Sequence, residues 1–490
     1  MWCTQLTFKS VQEILRSKRK PVRIISGVTV VAVMSKPYPC PHGRCIYCPG
    51  GPEYDTPQSY YGKEPALMRA QMCNYDPYEQ VKVRLGQYEL LGHTPSKVEL
   101  IIMGGTFTAM PLDYQEWFVT MCLEAMNRYP KEKPRKWISL ESAQRRNEHA
   151  KIRCVGMTFE TRPDWAKEVQ ADRMLHFGGT RVEIGVQTVF EEVLSKLERG
   201  HTVRDTIEAT RILKDSGFKV CYHIMPGLPG SDLDMDEKVF DIIFSDPDFM
   251  PDMLKIYPTV VVKGTKLYEM WVRGEYKPLT TQDAIEFLVK ILPKIPRWVR
   301  IQRIQRDIPV TVVEAGVDKG HLRQLVHWEL EKRGLKCNCI RCREVGHVML
   351  KKGLVPKIEN IKLIKTVYEA SGGVEIFLSF EDVVQDILIG FLRLRIPSDK
   401  AHRREVNSKT AIIRELHVYG PQLPVGWKPV IEWQHRGWGA KLLAEAEKVA
   451  LEEYDRSRML ILSGIGVRDY YRKFGYRRLP NSPYMHKRLA

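Results

Sequence analysis

Cys40-Pro-His-Gly-Arg-Cys45-Ile-Tyr-Cys48-Pro-Gly-Gly51 follows closely on the apolar run Val28 to Met34, which reads as a buried strand. Three thiols within nine residues match an iron-sulfur cubane with one iron left open. Such a cluster has four irons, so three thiolates leave one corner for a small ligand, and hydrogen bonds and burial around the loop tune it. Two other readings stay open: a zinc knuckle with His42 as fourth ligand, or a group of reduced core cysteines.

Outward from this loop, residues 28 to 262 alternate short β-branched runs with longer stretches of helical period, the pattern of βα units around a parallel sheet. Strands are expected near Val28 to Met34, Val98 to Met103, Arg153 to Thr158, Arg181 to Val186, Lys219 to Ile224 and Leu254 to Tyr257. Tyr78 to Leu91, Tyr114 to Tyr129, Trp165 to Phe177, Val203 to Ser216 and Met235 to Phe244 carry apolar residues at helical spacing. Six strands predict a partial barrel, and in such folds function gathers at the C-terminal strand ends. The cysteine loop falls at one of them.

Other chemistry falls at the same end. Gly104, Gly105 and Thr106 follow the second strand, where paired glycines let backbone approach a ligand. Glu160, in Glu160-Thr-Arg-Pro-Asp164, follows the third strand, and Glu183 lies on the fourth. Buried carboxylates need partners, and either a ligand's ribose or amino group, or Arg162 and Arg181, would serve. Met225-Pro-Gly-Leu-Pro-Gly230 adds a rigid loop after the fifth strand.

Cys337-Asn-Cys339-Ile-Arg-Cys342 stands outside the repeating region, at spacing suited to three corners of a zinc tetrahedron. His347 is the local choice for the fourth ligand, with His321 and His327 as alternatives, and a second iron-sulfur cluster is the competing reading. With no general base nearby, the group reads as a structural staple. From about Tyr368 longer strands follow: Glu375 to Phe380, Ile387 to Leu394 and Ile412 to Val418. The last leads through a Pro- and Gly-rich loop to Gln434-His435-Arg-Gly437-Trp-Gly439-Ala440, which opens the amphipathic helix Lys441 to Glu453. A strand, a glycine turn and a helix N-terminus offer backbone N–H groups and a positive dipole end to a pyrophosphate. Tyr470 and Tyr471 sit on a later short helix, placed to protonate a leaving thiolate or merely to pack.

The 490 residues suffice for about three domains. No apolar stretch reaches the ~18 residues of a membrane span, and no signal pattern opens the chain, so a cytoplasmic protein without a membrane partner is expected. Eleven cysteines, six in two tight groups, suit metal ligation better than disulfides. A net charge of +17 points to a polyanion, nucleic acid first. Candidate contacts are Arg16, Lys18, Arg19, Lys20 and Arg23 near the N-terminus, and Arg300, Arg303 and Arg306 in the series that begins at Arg297. Each run alone is more often a solvated face.

Gln-x-x-Gly-x-Gly resembles the acetyl-coenzyme A loop of GCN5-related acetyltransferases, and the cysteine loop resembles that of radical S-adenosylmethionine (SAM) enzymes. Taken together, the chain resembles the Elongator catalytic subunit in its archaeal and bacterial stand-alone form, over nearly its whole length. The likeness rests on Cys40 to Gly51, Met103 to Phe107, Glu160 to Asp164, Glu183 to Gln187, Arg303 to Pro309, Arg414 to Gly420, Gln434 to Gly439 and Tyr470 to Tyr476. It implies an α/β chain with a radical SAM partial (βα)6-type barrel, a zinc-stapled linker and a GCN5-related N-acetyltransferase α+β domain. The expected bounds are a basic segment 1–20, the barrel 21–315, the linker 316–360 and the acetyltransferase domain 361–490.

The resemblance implies a tRNA wobble-uridine carboxymethyltransferase acting on the anticodon loop, with a 4Fe-4S cluster, SAM, acetyl-coenzyme A and zinc; a homodimer is compatible with it. Cys40, Cys45 and Cys48 become cluster ligands. Gly104, Gly105, Thr106, Glu160 and Glu183 become SAM contacts. Glu415, Leu416, His417, Val418, Gln434, His435, Gly437, Gly439, Ala440 and Tyr471 become coenzyme A contacts, with Tyr470 and Tyr471 catalytic. The first cysteine gap holds four residues where most radical SAM enzymes have three. With 39 residues before Cys40, RNA affinity is expected to be weaker than in relatives with longer basic extensions. The rival functions are a protein lysine acetyltransferase with a structural barrel, and a non-catalytic RNA-binding scaffold.

Overall fold

A computed structural model describes residues 24–420 and 436–490. Arg16, Lys18, Arg19, Lys20, Arg23, Gln434 and His435 lie outside the described residues. The first sheet is seven-stranded and parallel throughout. Its strands are β1 (Thr29–Met34), β2 (Lys97–Met103), β3 (Arg153–Thr161), β4 (Arg181–Gln187), β5 (Lys219–Ile224) and β6 (Met253–Ile256), then, past the two-residue β7 (Val261–Val262), β8 (Arg300–Ile304). β7 pairs instead with β9 (Val313–Ala315) in a small ribbon. Helices pack between successive strands, so the sheet is covered and β4 is buried at all seven positions. β8 is one strand more than the six expected. Its Arg-Ile-Gln-Arg-Ile sequence reads as a basic stripe until Ile301 and Ile304 are seen in the core.

A second seven-stranded sheet follows, in the order β10-β11-β12-β13-β14-β16-β15. Its strands are β10 (Ile361–Ala370), β11 (Gly373–Asp382), β12 (Ile387–Ile396), β13 (Thr410–Val418), β14 (Arg458–Ile461), β15 (Arg477–Arg478) and β16 (Met485–Arg488). β10 to β13 are antiparallel, whereas β14 runs parallel to β13 because the helix Trp438–Glu452 crosses between them. The β13–β14 ladder ends at Ile413, opposite the last residue of β14, and residues 414–418 of β13 run on beyond it. No helix among the described residues is long and apolar enough to cross a membrane.

The two sheets are joined by charge. Asp252, before β6, takes both Arg414 nitrogens at 2.7 and 2.8 Å, and Arg414 also reaches Glu375 at 2.6 Å. Arg395 holds Glu375 at 3.0 Å and Asp215 at 2.7 Å, Arg393 holds Glu415 at 2.9 Å, and Lys214 lies 3.4 Å from Asp252. Four acids thus balance four bases, none with a side chain more than 8% exposed. Burial is tolerable only because each charge has partners; removing one leaves another uncompensated in a dry interior.

Candidate active site

The cysteine loop is held in shape by its own side chains. Gln58 accepts from the Cys40 amide and donates to the Gly43 carbonyl at 3.0 Å, while Arg44 donates to the carbonyls of Cys48 and Gly50. Donors surround the thiols: the Ser59 amide lies 3.0 Å from Cys48 Sγ, Arg199 Nη1 is 3.5 Å from Cys45 Sγ, and the Thr106 hydroxyl is 3.3 Å from Cys40 Sγ. His42 Nε2 is 3.2 Å from Cys45 Sγ. Burial raises the Cys40 thiol and, with repulsion from Cys45, pushes Cys48 up to about 11. These sulfurs become thiolates when a metal takes them, and the donors then offset the added negative charge. The three do not all lie within 4.8 Å of one another, unlike the second cysteine trio. One zinc ion would need its sulfurs about 3.8 Å apart, given ~2.3 Å bonds, so the spread suits a cluster rather than an ion.

The loop opens on a cavity at the C-terminal strand ends, lined by Cys40, Gly105, Thr106, Glu160, Lys255 and Tyr257, among others. Gly104 and Gly105 both have positive φ, 137° and 78°. A Cβ at Gly105 would sit 3.8 Å from Cys40 Sγ, so this backbone faces the cysteine loop directly. Glu160 receives Lys255 Nζ at 2.8 Å and the Tyr60 hydroxyl at 2.9 Å. Glu183 is bound by Lys255, by His223 Nε2 at 3.0 Å and by Arg181 at 3.2 Å. Of the two arginines considered as partners, Arg181 serves Glu183, whereas Arg162 goes to Asp164.

Burial works to raise the Glu183 carboxyl, but Lys255, the His223 hydrogen bond and Arg181 hold it well below the usual range. Burial likewise opposes the Lys255 ammonium, and the two carboxylates hold it well above the ordinary lysine value. Burial and the neighbouring Lys255 keep His223 neutral. Glu160 therefore presents a fixed carboxylate to the cavity for hydroxyl or ammonium groups, while Glu183, wholly buried, holds Lys255 from behind. Lys255, Tyr60 and His223 escape sequence reading; the one available sign was a lone lysine inside the apolar strand Met-Leu-Lys-Ile.

The arginines read as RNA contacts separate. Arg300 is buried against Glu344 at 2.5 Å and against the Tyr419 hydroxyl, so it is a structural ion pair and not a phosphate contact. Arg303, paired with Asp307, and Arg306, bonded to the Ser59 carbonyl, line the cavity mouth. Cys337, Cys339 and Cys342 gather within 4.8 Å, with Cys339 and Cys342 Sγ 3.6 Å apart. Cys337 and Cys339 pack in the barrel core, while Ile340, Val345 and Val348 pack under the second sheet, so the segment spans both. His347, the histidine expected as fourth donor, has its Nε2 3.2 Å from Glu344, which also pairs with Arg300. His327 comes to 3.7 Å from Cys342 Sγ, and burial pushes it down to about 4, leaving a neutral imidazole fit to ligate.

In the second sheet, Gly437 (φ 84°) is the N-cap of the helix Trp438–Glu452, and Gly439 and Ala440 lie in its first turn. A Cβ at Gly439 would come 2.5 Å from the Tyr470 hydroxyl, so that phenol sits against the helix N-terminus. Burial pushes Tyr470 up to about 12, and it stays protonated at neutral pH. Tyr471 is buried in the core, edge-on to Tyr470 and Tyr476. Glu415 turns to Arg393, and His417 Nε2 donates to the Ser26 carbonyl, 2.9 Å away, while its ring stacks on Tyr419. Residues 415–418 pair with β12 and run on past the end of the β13–β14 ladder, beside the helix that Gly437 caps.

Comparison with known proteins agrees with this geometry. Residues 36–243 match the radical SAM superfamily and residues 251–332 its C-terminal domain. The chain is 56% identical over 476 residues to the tRNA uridine(34) acetyltransferase of Methanocaldococcus jannaschii, covering 96% of this chain and 86% of that one. It is 44% identical over 480 residues to human Elongator complex protein 3, covering 96% and 86%. The solved structure of Elp3 from Methanocaldococcus infernus, lacking N-terminal residues 1–46, superposes with TM-score 0.83 at 50% identity, covering 95% of this chain and all of that one.

Proposed function

This chain belongs to the radical SAM family of the Elongator catalytic subunit, and from that premise we propose that it is a tRNA wobble-uridine carboxymethyltransferase using acetyl-coenzyme A. The observation that carries the reading is one body holding both an open-cornered thiol loop and a glycine helix N-terminus with a tyrosine hydroxyl against it, fixed to each other by the buried charges around Asp252 and Arg414. Cys40, Cys45 and Cys48 hold a 4Fe-4S cluster, and Gly104 to Thr106 and Glu160 receive SAM, with Glu183 buried behind them on Lys255. When bound, that pair supplies a carbon-centred radical able to take a hydrogen atom from a methyl group.

The methyl of the acetyl thioester is the donor. Its carbon would bond to C5 of the uracil ring in place of the C5 hydrogen, a two-electron oxidation that the reductive cleavage of SAM to methionine and 5′-deoxyadenosine would balance, and water would cleave the thioester to leave a carboxymethyl group. Gly437, Gly439 and Ala440 present N–H groups to the pyrophosphate. The Tyr470 hydroxyl, protonated at neutral pH, hands its proton to the departing thiolate. Arg303 and Arg306 at the cavity mouth meet RNA phosphate, and a single-stranded loop base is the form that enters such a cavity. Cys337, Cys339 and Cys342 with His327 hold a structural zinc. A cytoplasmic location follows from a tRNA substrate.

The test is an anaerobic reaction with carbon-labelled acetyl-coenzyme A and tRNA, read by mass spectrometry of the wobble nucleoside. Two labelled carbons in carboxymethyluridine are expected. Unlabelled uridine beside acetylated lysine on a peptide substrate would overturn the reading in favour of a protein acetyltransferase.

A further inference from the structure

The tyrosine helix Arg468–Arg472 belongs to the second sheet by sequence, yet its anchors lie on the barrel. Glu148, 4% exposed at the end of the barrel helix Leu140–Asn147, holds Arg468 Nη1 at 2.8 Å through one oxygen and Arg472 Nη2 at 2.6 Å through the other. These arginines are one helical turn apart and flank Tyr470 and Tyr471. A single carboxylate thus fixes both the height and the rotation of a five-residue helix too short to hold itself. His149 Nδ1 adds a contact to Asp469 at 2.8 Å.

The approach to this helix is docked just as closely. β3 pairs with β4 only from Thr158 onward, and the backbone of Gly464 and Gly466 lies against the preceding stretch of β3. A Cβ at Gly464 would collide with the Val155 carbonyl, and one at Gly466 with the side chain of Arg153. Between them Ile465 is wholly buried in the barrel core. β3 therefore touches the tyrosine segment at one end and carries Glu160 into the barrel cavity at the other.

We infer that Glu148 is a positioning residue for the acyl-transfer site: the barrel, through Glu148 and the Gly464–Gly466 dock, sets the distance between the Tyr470 hydroxyl and the helix N-terminus at Gly439. This rests on the reading of Gly437 to Ala440 and Tyr470 as the acyl thioester site. Burial works to raise the Glu148 carboxyl, but the hydrogen bonds from Arg468 and Arg472 outweigh it, so the clamp is charged at neutral pH. Thioester cleavage is thereby tied to the intact barrel rather than to the second sheet alone.

The test uses the full chain carrying Glu148→Gln, Glu148→Asp, Tyr470→Phe or Gly439→Val. For Glu148→Gln, the kcat of acetyl-coenzyme A hydrolysis falls about tenfold to a hundredfold, as a displaced catalytic group does, with KM unchanged. Anaerobic SAM cleavage persists, and without any ligand amide hydrogen exchange in residues 464–476 speeds up. Glu148→Asp recovers part of the loss. Wild-type kcat and exchange in Glu148→Gln beside a slowed Tyr470→Phe would overturn the positioning role alone. If Tyr470→Phe and Gly439→Val also hydrolyse and bind acetyl-coenzyme A normally, the acyl-site reading fails and this inference with it. Loss of SAM cleavage in Glu148→Gln would mark a general structural role and overturn the proposal.

Discussion

Two cysteine trios, one spanning nine residues and the other six, occupy opposite kinds of surroundings. Cys337, Cys339 and Cys342 face one another within 4.8 Å, beside a neutral imidazole and between two cores. Cys40, Cys45 and Cys48 are spread wider, each with a donor beside it, and Cys40 borders a cavity. Closed tetrahedra suit structure, and open corners suit chemistry. What separates the trios is where their unused coordination points.

The largest effect expected from breaking this contrast is at the open trio. Changing Cys40, Cys45 and Cys48 together to Ala abolishes 5′-deoxyadenosine formation, assayed by chromatography, while acetyl-coenzyme A still binds by calorimetry. In the closed trio, Cys339→Ser releases zinc and lowers stability by several kcal/mol, on the order expected for a structural site. Denaturant melts check it, and the cluster absorbance of the folded fraction stays.

Next comes the charge network that holds the two regions in one body. Asp252→Asn destabilises by about 3–5 kcal/mol, since Arg414 is left buried without its main partner. The carboxyl of Asp252, which burial would raise, is held well below its usual value by Arg414, Lys214 and Arg393. Its contribution is thus complete above about pH 4, its unfolded value, and is lost as pH falls through the lower folded value. Melts in acid show a sharper decline for the native chain than for Asp252→Asn. The smallest effect separates two histidines: His327→Ala weakens zinc binding at least about tenfold, and His347→Ala leaves it unchanged, as metal titration against a competing chelator measures.

Much of this contrast was legible in sequence. Cysteine spacing, the strand and helix periods of the barrel and the glycine-rich helix start are local properties, and they fall within a few residues of the observed elements. Partner choice across long separations was not legible. Arg300 looks like part of a basic stripe until Glu344 is found beside it; the same Glu344 lies against Nε2 of His347, the nearest histidine in sequence, while His327 comes to 3.7 Å from a thiol. Lys255 is one cation in an apolar strand, and only the sheet shows that Glu160 and Glu183 converge on it from two other strands. Glu148 carries no local sign of its role, because its partners come more than 300 residues later.

Metal analysis of the anaerobically reconstituted chain and its two triple-alanine variants tests the central claim most directly. Iron and sulfide leave with Cys40, Cys45 and Cys48, and zinc leaves with Cys337, Cys339 and Cys342. Zinc tracking the first trio, or iron and sulfide surviving its removal, would contradict the account.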